Sequence, residues 1–380
     1  MNDRSLKGLF SEITTIPPVL QNSYYPSLDG LRGIAIIMVV LSHLINTSRF
    51  LYNTIFNGHL GVLIFFVLSG FLITTLCIKE KVITKDISLK NFYIRRLLRI
   101  FPVAYLFIIV IIILNYIFDL KISYINIIGT ALYLMNFSSY FRKYHYTYLT
   151  GHFWSLSVEE QFYLIFPFIL KKKFKVYLLL ILTIVFVVPF IICLQSFYVS
   201  LNNKVLYALA HYLIKFQAIG VGCLFSVLTF KYSFNKKILI KTKVITNILA
   251  IFLILFIQYN DFFSLQNVLS GVASSFLIGY IIITNIGQGK DFIFKFLNMK
   301  ILKTVGVLSY SIYIWQEIFT SGDKRLPSFM VTFPYNVICI IIVSCCSYYL
   351  YERSFLKLKS RFSKVKTSPL VTEQALGPAV

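Results

Sequence analysis

Acidic residues are scarce in this sequence. Its 380 residues include only 14 Asp and Glu, against 37 Lys and Arg. Charged residues together make up 13% of the chain, about half the fraction typical of a soluble globular protein. A water-exposed fold of this size would lack the polar side chains needed to cover its surface. The composition therefore excludes a disordered chain and argues strongly against a soluble enzyme.

Cysteine pairs and nucleotide-binding signatures are also missing. The six cysteines fall inside apolar runs, and none has the CxxC spacing or the neighbouring His of a zinc site. The sequence contains no P-loop, no Rossmann glycine fingerprint and no nucleophile elbow. Its basic residues form no recognisable nucleic-acid-binding module. We therefore expect no metal, no disulfide framework and no nucleic-acid partner.

What the chain does contain is apolar residues in long runs. Hydrophobic residues make up 58% of the chain, and ten stretches approach the roughly 20 residues that cross a bilayer as a helix. The stretches are 31–47, 60–78, 97–118, 155–170, 176–196, 206–229, 246–259, 266–286, 304–320 and 332–351. They predict an all-α polytopic membrane protein with about ten transmembrane helices. The lipid bilayer is then its first partner.

The positions of the basic residues predict how these helices are oriented. Lys and Arg concentrate in cytoplasmic loops, and 28 of the 37 fall in segments that a ten-span topology puts on one side. These are the N-terminal segment, 79–99, 171–175, 231–243, 287–303 and the tail. An eleventh apolar stretch, 125–138, would reverse every later loop if it crossed. We therefore interpret 119–154 as an external excursion and place both termini in the cytoplasm.

This topology divides the chain into three parts. Residues 1–30 form a cytoplasmic N-terminal segment, 31–351 the integral membrane domain, and 352–380 a basic cytoplasmic tail. The last residues, from Glu373 to Val380, have the composition of a flexible tail.

Ionisable residues inside the apolar runs are functional candidates, because charge at membrane depth is costly. Arg32 and His43 lie eleven residues apart, which places them on one helix face about 16 Å apart along the axis. Histidine is the usual general base near neutral pH. The alternatives are a snorkelling anchor for Arg32 and a helix-packing hydrogen bond for His43. Glu159 and Glu160 are adjacent and so point about 100° apart.

Five sequence patterns occur in order along the chain. They are SLDGLRGIA at 27–35, running on to His43, GVLIFFVLSGFLI at 61–73, FYIRRLLRIFP at 92–102, WSLSVEEQFY at 154–163 and LSYSIYIWQ at 308–316. Together they resemble the membrane acyltransferase 3 family, whose members O-acylate sugars and other hydroxyl acceptors. The first pattern is similar to that family's Arg, ten residues, His signature, and Arg96 and Arg99 match its RxxR loop.

The resemblance implies an enzyme, an O-acetyltransferase that takes an acyl group from cytoplasmic acyl-coenzyme A. Its implied acceptor is a glycan or glycolipid across a bacterial cytoplasmic membrane, such as peptidoglycan or lipopolysaccharide O-antigen. His43 would be catalytic with Arg32 as its partner, and Arg96 and Arg99, flanked by Arg95, would bind the coenzyme A phosphates. We expect Glu159 or Glu160 to orient His43 or to bind the sugar. The residues that we expect to contact the acceptor are Asp29, Trp154, Ser155, Tyr163, Tyr313 and Gln316.

Two departures from the family pattern concern recognition of the acceptor. Leu63 stands where members often have an acidic or polar residue, and the segment 211–222 lacks an Arg and an Asp that many carry. We expect the acyltransferase domain alone, without the C-terminal SGNH esterase-like domain of some relatives. The alternative functions are a multi-span transporter or polymerase of envelope polysaccharide, and a structural role. An internal repeat would favour a transporter, and the sequence contains none.

Overall fold

In the computed structural model, the residues described are 6–22, 24–44, 57–137, 149–197, 204–232, 236–260, 267–287, 289 and 291–362. All regular secondary structure within these ranges is helical. The long helices are α1 Pro26–Leu44, α2 Gly58–Thr84, α3 Leu89–Phe118, α4 Phe153–Lys172, α5 174–197, α6 204–231, α7 Lys236–Asn260, α8 Asn267–Asn285, α9 Lys300–Thr320 and α10 Tyr335–Ser360. Each of the ten predicted stretches falls mainly on one of them.

Seven of these helices are both long enough and apolar enough to cross a membrane: α1, α2, α3, α5, α6, α8 and α10. The apolar part of α7, Lys243–Tyr259, is shorter. Helices α4 and α9 do not meet the same criteria, and both carry charged residues. The all-α polytopic class is thus confirmed, while the count of ten spans stays a prediction.

The doubtful stretch 125–138 forms no spanning helix in its described part. It contains the helix Tyr124–Ala131, of 8 residues, which is about 12 Å long and far shorter than the roughly 30 Å hydrocarbon core. A single 3-10 turn follows at Met135–Phe137. This geometry agrees with an excursion that does not cross by itself. Residues 138–148 of the excursion, 45–47 and 266 of two stretches, and 363–380 of the tail lie outside the described residues.

Close helix contacts at glycine hold the centre of the bundle together. Helices α1 and α9 approach so closely that a methyl group at Gly306 would overlap the backbone oxygen of Asp29. Helices α2 and α6 meet in the same way, with Gly70 against Ile219 and Gly222 against Val67. Membrane helices associate through such small residues because lipid provides no hydrophobic drive between helices. The α1–α9 contact aligns the two helices that carry much of the site described below.

Basic segments from distant parts of the sequence meet at one end of the bundle. Lys81, near the end of α2, pairs with Glu12 of the N-terminal segment at 3.0 Å. Lys171, at the end of α4, pairs with Asp86 of the α2–α3 loop at 2.8 Å. These contacts put the start of the chain, the α2–α3 loop and the end of α4 together, as the predicted topology requires. The assignment of this end to the cytoplasm remains a prediction from charge.

Candidate functional site

A cavity of about 500 Å³ opens among α1, α2, α3, α4, α9 and α10. One part of its wall is basic and another is apolar. The basic and acidic residues that line it are Asp29, Arg32, Arg96, Arg99, Glu159, Glu352, Lys357 and Lys359. Of the residues predicted for the site, Ser155, Tyr163 and Tyr313 also line it. The five sequence patterns, which lie on five different helices, therefore converge on one space.

Arg32 enters this cavity from α1 and forms an ion pair within its own helix. Its Nη1 lies 2.6 Å from Oδ1 of Asp29, one turn earlier. The pair lies on one helix face because residues three apart are neighbours on a helix surface. Asp29, which we expected to contact the acceptor, thus lies at the basic part of the cavity beside Arg32.

Arg96 and Arg99 lie one turn apart on α3 and share the cavity wall. The guanidinium of Arg96 stacks over the ring of Tyr163, 4.9 Å from its centroid. Neither arginine takes part in an ion pair within the described ranges. Arg95 differs from both, because it does not line the cavity. It pairs with the buried Glu80 at 3.1 Å and so points about 100° away from Arg96.

The adjacent glutamates of α4 also separate, as expected for neighbouring helix positions. Glu159 lines the cavity and accepts a 2.6 Å hydrogen bond from Ser69. Glu160 does not line it, and its buried Oε1 has no hydrogen-bond partner in the structure described. Neither carboxylate makes an ion pair with His43. In the described part of the chain, the carboxylate that pairs with His43 belongs to a residue outside these patterns, Glu317.

His43 lies at the end of α1, outside the lining of the cavity. Its Nδ1 is 2.8 Å from the carbonyl oxygen of Val39. A carbonyl can only accept, so this contact assigns the ring hydrogen to Nδ1 and leaves Nε2 free to take a proton. Nε2 lies 4.0 Å from Oε2 of Glu317 on α9. The tautomer and the nearby carboxylate are those of a general base.

A second histidine, which the sequence did not indicate as a site residue, completes this end of α1. Nδ1 of His152 lies 3.9 Å from the same Oε2 of Glu317. Both ring nitrogens of His152 are buried without a hydrogen-bond partner in the described parts. The rings of Phe107, Phe153 and Tyr313 enclose it. We refer to His43, Glu317 and His152 as the histidine cluster.

A short hydrogen-bonded bridge joins the cavity to the histidine cluster. Tyr313 and Ser155, both in the cavity wall, are 2.6 Å apart at their hydroxyls. The Tyr313 hydroxyl also donates to the backbone oxygen of His152 at 2.9 Å. This pair of side chains therefore connects the cavity wall to the backbone of His152.

Two other predicted residues lie beside the bridge without lining the cavity. Gln316 is fully buried next to Glu317, with its amide nitrogen 3.5 Å from Oε2 of that residue. Trp154 packs edge-on against Phe66, 5.9 Å between ring centroids. Among the residues that the structure describes, no cluster of three His, Cys, Asp or Glu side chains is arranged to hold a metal ion.

The class of protein follows from comparison with known families. A family model described as an acyltransferase domain matches residues 25–352. The match covers most of the chain, so the protein belongs to the acyltransferase 3 family, as the resemblance of its five patterns predicted. The matched range includes the histidine cluster and most of the cavity lining, and it ends before Lys357 and Lys359.

The chain is also similar to individual proteins that are named as O-acetyltransferases. The chain is similar to a protein named peptidoglycan O-acetyltransferase OatA from Listeria monocytogenes, with 30% identity over 90% of this chain and 56% of the relative. It is also similar to O-acetyltransferase OatA from Staphylococcus aureus, with 31% identity over 77% of this chain and 50% of the relative. The chain thus spans about half the length of these curated relatives. No solved structure matches it.

Proposed function

We propose that this chain is a membrane O-acetyltransferase that moves an acetyl group from acyl-coenzyme A to a hydroxyl of an envelope glycan. One observation carries the proposal: helix α1 presents an arginine to a basic cavity at one end and a histidine base at the other. Membership of the acyltransferase family and the names of the relatives support it. The chain is assigned to a bacterial cytoplasmic membrane on the same grounds.

The donor is assigned to the cavity because of its charge. Arg96 and Arg99 line the space and make no ion pair in the described ranges, and guanidinium groups suit bidentate contacts with phosphates. Val62, Phe65 and Phe66 line a more apolar part, which suits a thin pantetheine arm. Arg95 is left out of this assignment because it pairs with Glu80.

The chemistry is assigned to the histidine cluster. Nε2 of His43 takes the proton of the acceptor hydroxyl as its oxygen attacks the thioester carbonyl. The tetrahedral intermediate collapses, the C–S bond breaks, and the leaving sulfur takes the proton from Nε2 of His43, so that coenzyme A leaves as the thiol and His43 is again neutral. Glu317 stabilises the imidazolium between these steps. A covalent acyl-histidine route would use the same nitrogen.

This assignment alters the roles proposed for two charged side chains. Arg32 lies about 16 Å from His43 along one helix, so it cannot stabilise the oxyanion beside His43. We assign Arg32 to the donor instead. Glu317, rather than Glu159 or Glu160, takes the role of orienting His43, because Glu159 is bonded to Ser69 in the cavity wall.

The acceptor enters from the end of the bundle that holds the histidine cluster. The name of the Listeria relative favours peptidoglycan as the acceptor to test before O-antigen or capsular polysaccharide. Ser155 and Tyr313 stand where the donor and acceptor paths meet, so their contact with the acyl group is part of the proposal. Trp154 and Gln316 act behind this junction.

The decisive experiment measures the transfer of a labelled acetyl group to glycan. Membranes containing the chain are supplied with acetyl-coenzyme A labelled in the acetyl group, and base-labile label is counted in separated glycan fractions. We expect transfer by the wild type and by the control His211→Ala, and loss of transfer by His43→Ala. Full transfer by His43→Ala would contradict the proposed base. No transfer by any form, together with a glycan defect in cells, would favour the transporter or polymerase alternative.

A further inference from the structure

The last helix contributes a part of the cavity that its sequence did not indicate. Residues 353–360 of α10 belong to the predicted basic tail, whose charges we attributed to topology. In the structure, Lys357 and Lys359 line the same cavity as Arg96 and Arg99. The end of α10 packs along α3, the helix that carries both arginines. Two of the tail's lysines therefore belong to a site and not only to a charged surface.

Two contacts fix the end of α10 in this position. At its beginning, Glu352 accepts a 2.6 Å hydrogen bond from Ser311 of α9. Just beyond its end, the backbone oxygen of Phe362 accepts a 2.8 Å hydrogen bond from Arg95. Arg95 is itself held by its ion pair with Glu80. The segment between these contacts is thereby held across the basic part of the cavity.

The protein balances the charges in this part of the cavity only partly, because four cationic side chains share it with two carboxylates, Glu159 and Glu352. No carboxylate forms an ion pair with Arg96, Arg99, Lys357 or Lys359 in the described ranges. The two remaining carboxylates of the cavity, Glu159 and Glu352, accept hydrogen bonds from serine hydroxyls. Like charges held this close repel one another. A ligand with several negative charges would relieve that repulsion.

We propose that Lys357 and Lys359 are phosphate ligands and form, with Arg96 and Arg99, one polyphosphate-binding site. The site takes the nucleotide end of the donor, so this inference rests on the proposed use of acyl-coenzyme A. Lysine binds phosphate as a compact point charge, whereas the arginine fork binds it in a planar, bidentate way. The four side chains together match a group that carries phosphates at more than one position.

The test separates donor binding from turnover. The double variant Lys357→Gln/Lys359→Gln is compared with wild type and with Lys90→Gln, an exposed lysine at the start of α3. We expect the KM for acetyl-coenzyme A to rise about tenfold or more in the double variant, since loss of a charge-assisted contact commonly has that effect. The kcat of the double variant should stay within about twofold of the wild-type kcat. The KM of the Lys90→Gln control should likewise stay within about twofold of the wild-type KM.

A second measurement uses a ligand that lacks the acyl-pantetheine part of the donor. Adenosine 3′,5′-bisphosphate carries the 3′-phosphate and one of the two 5′-phosphates of the donor without its pantetheine, and it should inhibit the wild type competitively. Its inhibition constant should rise in the double variant by a factor similar to that for the KM. If the double variant does not fold, the exposed Lys357→Gln alone is measured in the same way.

The possible failures are distinguishable. If wild-type protein neither uses acetyl-coenzyme A nor binds coenzyme A in calorimetry, the proposed function is wrong. If the wild type uses it and the variant keeps its KM and its inhibition constant, the lysine site is wrong while the function stands. A variant with lower kcat but unchanged KM would also overturn the site, since it would show only a structural role for α10.

Discussion

The two ends of helix α1 differ in charge and in enclosure. At the Arg32 end, three arginines and two lysines surround an open cavity of about 500 Å³. At the His43 end, one carboxylate lies between two histidines, and aromatic rings close around the second histidine. An excess of positive charge suits the capture of an anion, whereas a carboxylate–histidine pair suits the movement of a proton. One helix thus carries two different kinds of chemistry.

The kinetic parameters should separate in the same way as the two ends. Arg96→Ala/Arg99→Ala removes contacts to the donor, so it should mainly raise the KM for acetyl-coenzyme A. His43→Ala removes the base, so it should lower kcat by about 10²- to 10⁴-fold, the usual contribution of general base catalysis. Initial rates over a range of donor concentration give both parameters. The same pattern in both variants would contradict the division between the ends.

Glu317 gives a more local test of the His43 end. We expect Glu317→Gln to lower kcat by about 10- to 100-fold, because the amide no longer stabilises a charged imidazole. The KM for the donor should change little. Glu12→Gln, which breaks an exposed ion pair with Lys81, is the control. An unchanged kcat in Glu317→Gln would remove Glu317 from the cluster's chemistry.

A substitution between the ends should affect both together. A methyl group at Gly306 would overlap the backbone of α1 at Asp29, and such overpacking typically costs about 1–3 kcal/mol. We therefore expect Gly306→Ala to lower the thermal unfolding midpoint in detergent and to reduce both donor binding and turnover. Gly271→Ala, where no atom lies within 4 Å of an added Cβ, should leave the midpoint nearly unchanged. Equal midpoints for the two variants would contradict the close α1–α9 contact.

The smallest effect is expected away from both ends, at the loop before the helix Phe292–Leu297. Burial raises the pKa of Asp291, but the hydrogen bonds from Lys243 and the Phe294 amide outweigh it, so the net shift is downward. Because this pKa is lowered, the ionised Asp291 carboxylate stabilises the folded state fully at pH values above the ordinary aspartate pKa near 4. This stabilisation is lost as the pH falls through the pKa of Asp291 in the folded state.

Asp291→Asn keeps a helix-capping side chain but loses the ion pair with Lys243. It should therefore lower the free energy of unfolding by about 1 kcal/mol or less. The measurement is the unfolding midpoint at neutral pH and at a pH below 4. The difference between variant and wild type should shrink at the lower pH, and neither kcat nor KM should change. A large change in either kinetic parameter would tie this loop to the site.

Local periodicity accounts for what the sequence predicted well. The divergence of Glu159 from Glu160 depends only on helix geometry, and it holds in the structure. The apolar runs likewise predicted the positions of the long helices. Each of these features is decided by residues within a few turns of one another.

The features that the sequence did not reveal depend on contacts between distant segments. Glu317 meets His43 across 274 positions of sequence and His152 across 165, which no local pattern encodes. The sequence pattern does not distinguish Arg95 from Arg96 and Arg99, although a rotation of about 100° per residue turns Arg95 toward Glu80. The lysines of the tail were assigned to topology because the positive-inside bias explains them equally well.

The Ser155–Tyr313 bridge also has a consequence for the membrane around the protein. A bilayer that maintains a voltage cannot contain a continuous water-filled path for ions, yet this protein has ionisable groups reaching inward from both ends. The hydrogen-bonded hydroxyls lie at the cavity wall with the edge of Phe65, 6.4 Å from Tyr313 between ring centroids, and they connect this wall to the backbone of His152. We therefore expect the same side chains that would guide an acetyl group to restrict the passage of ions as well.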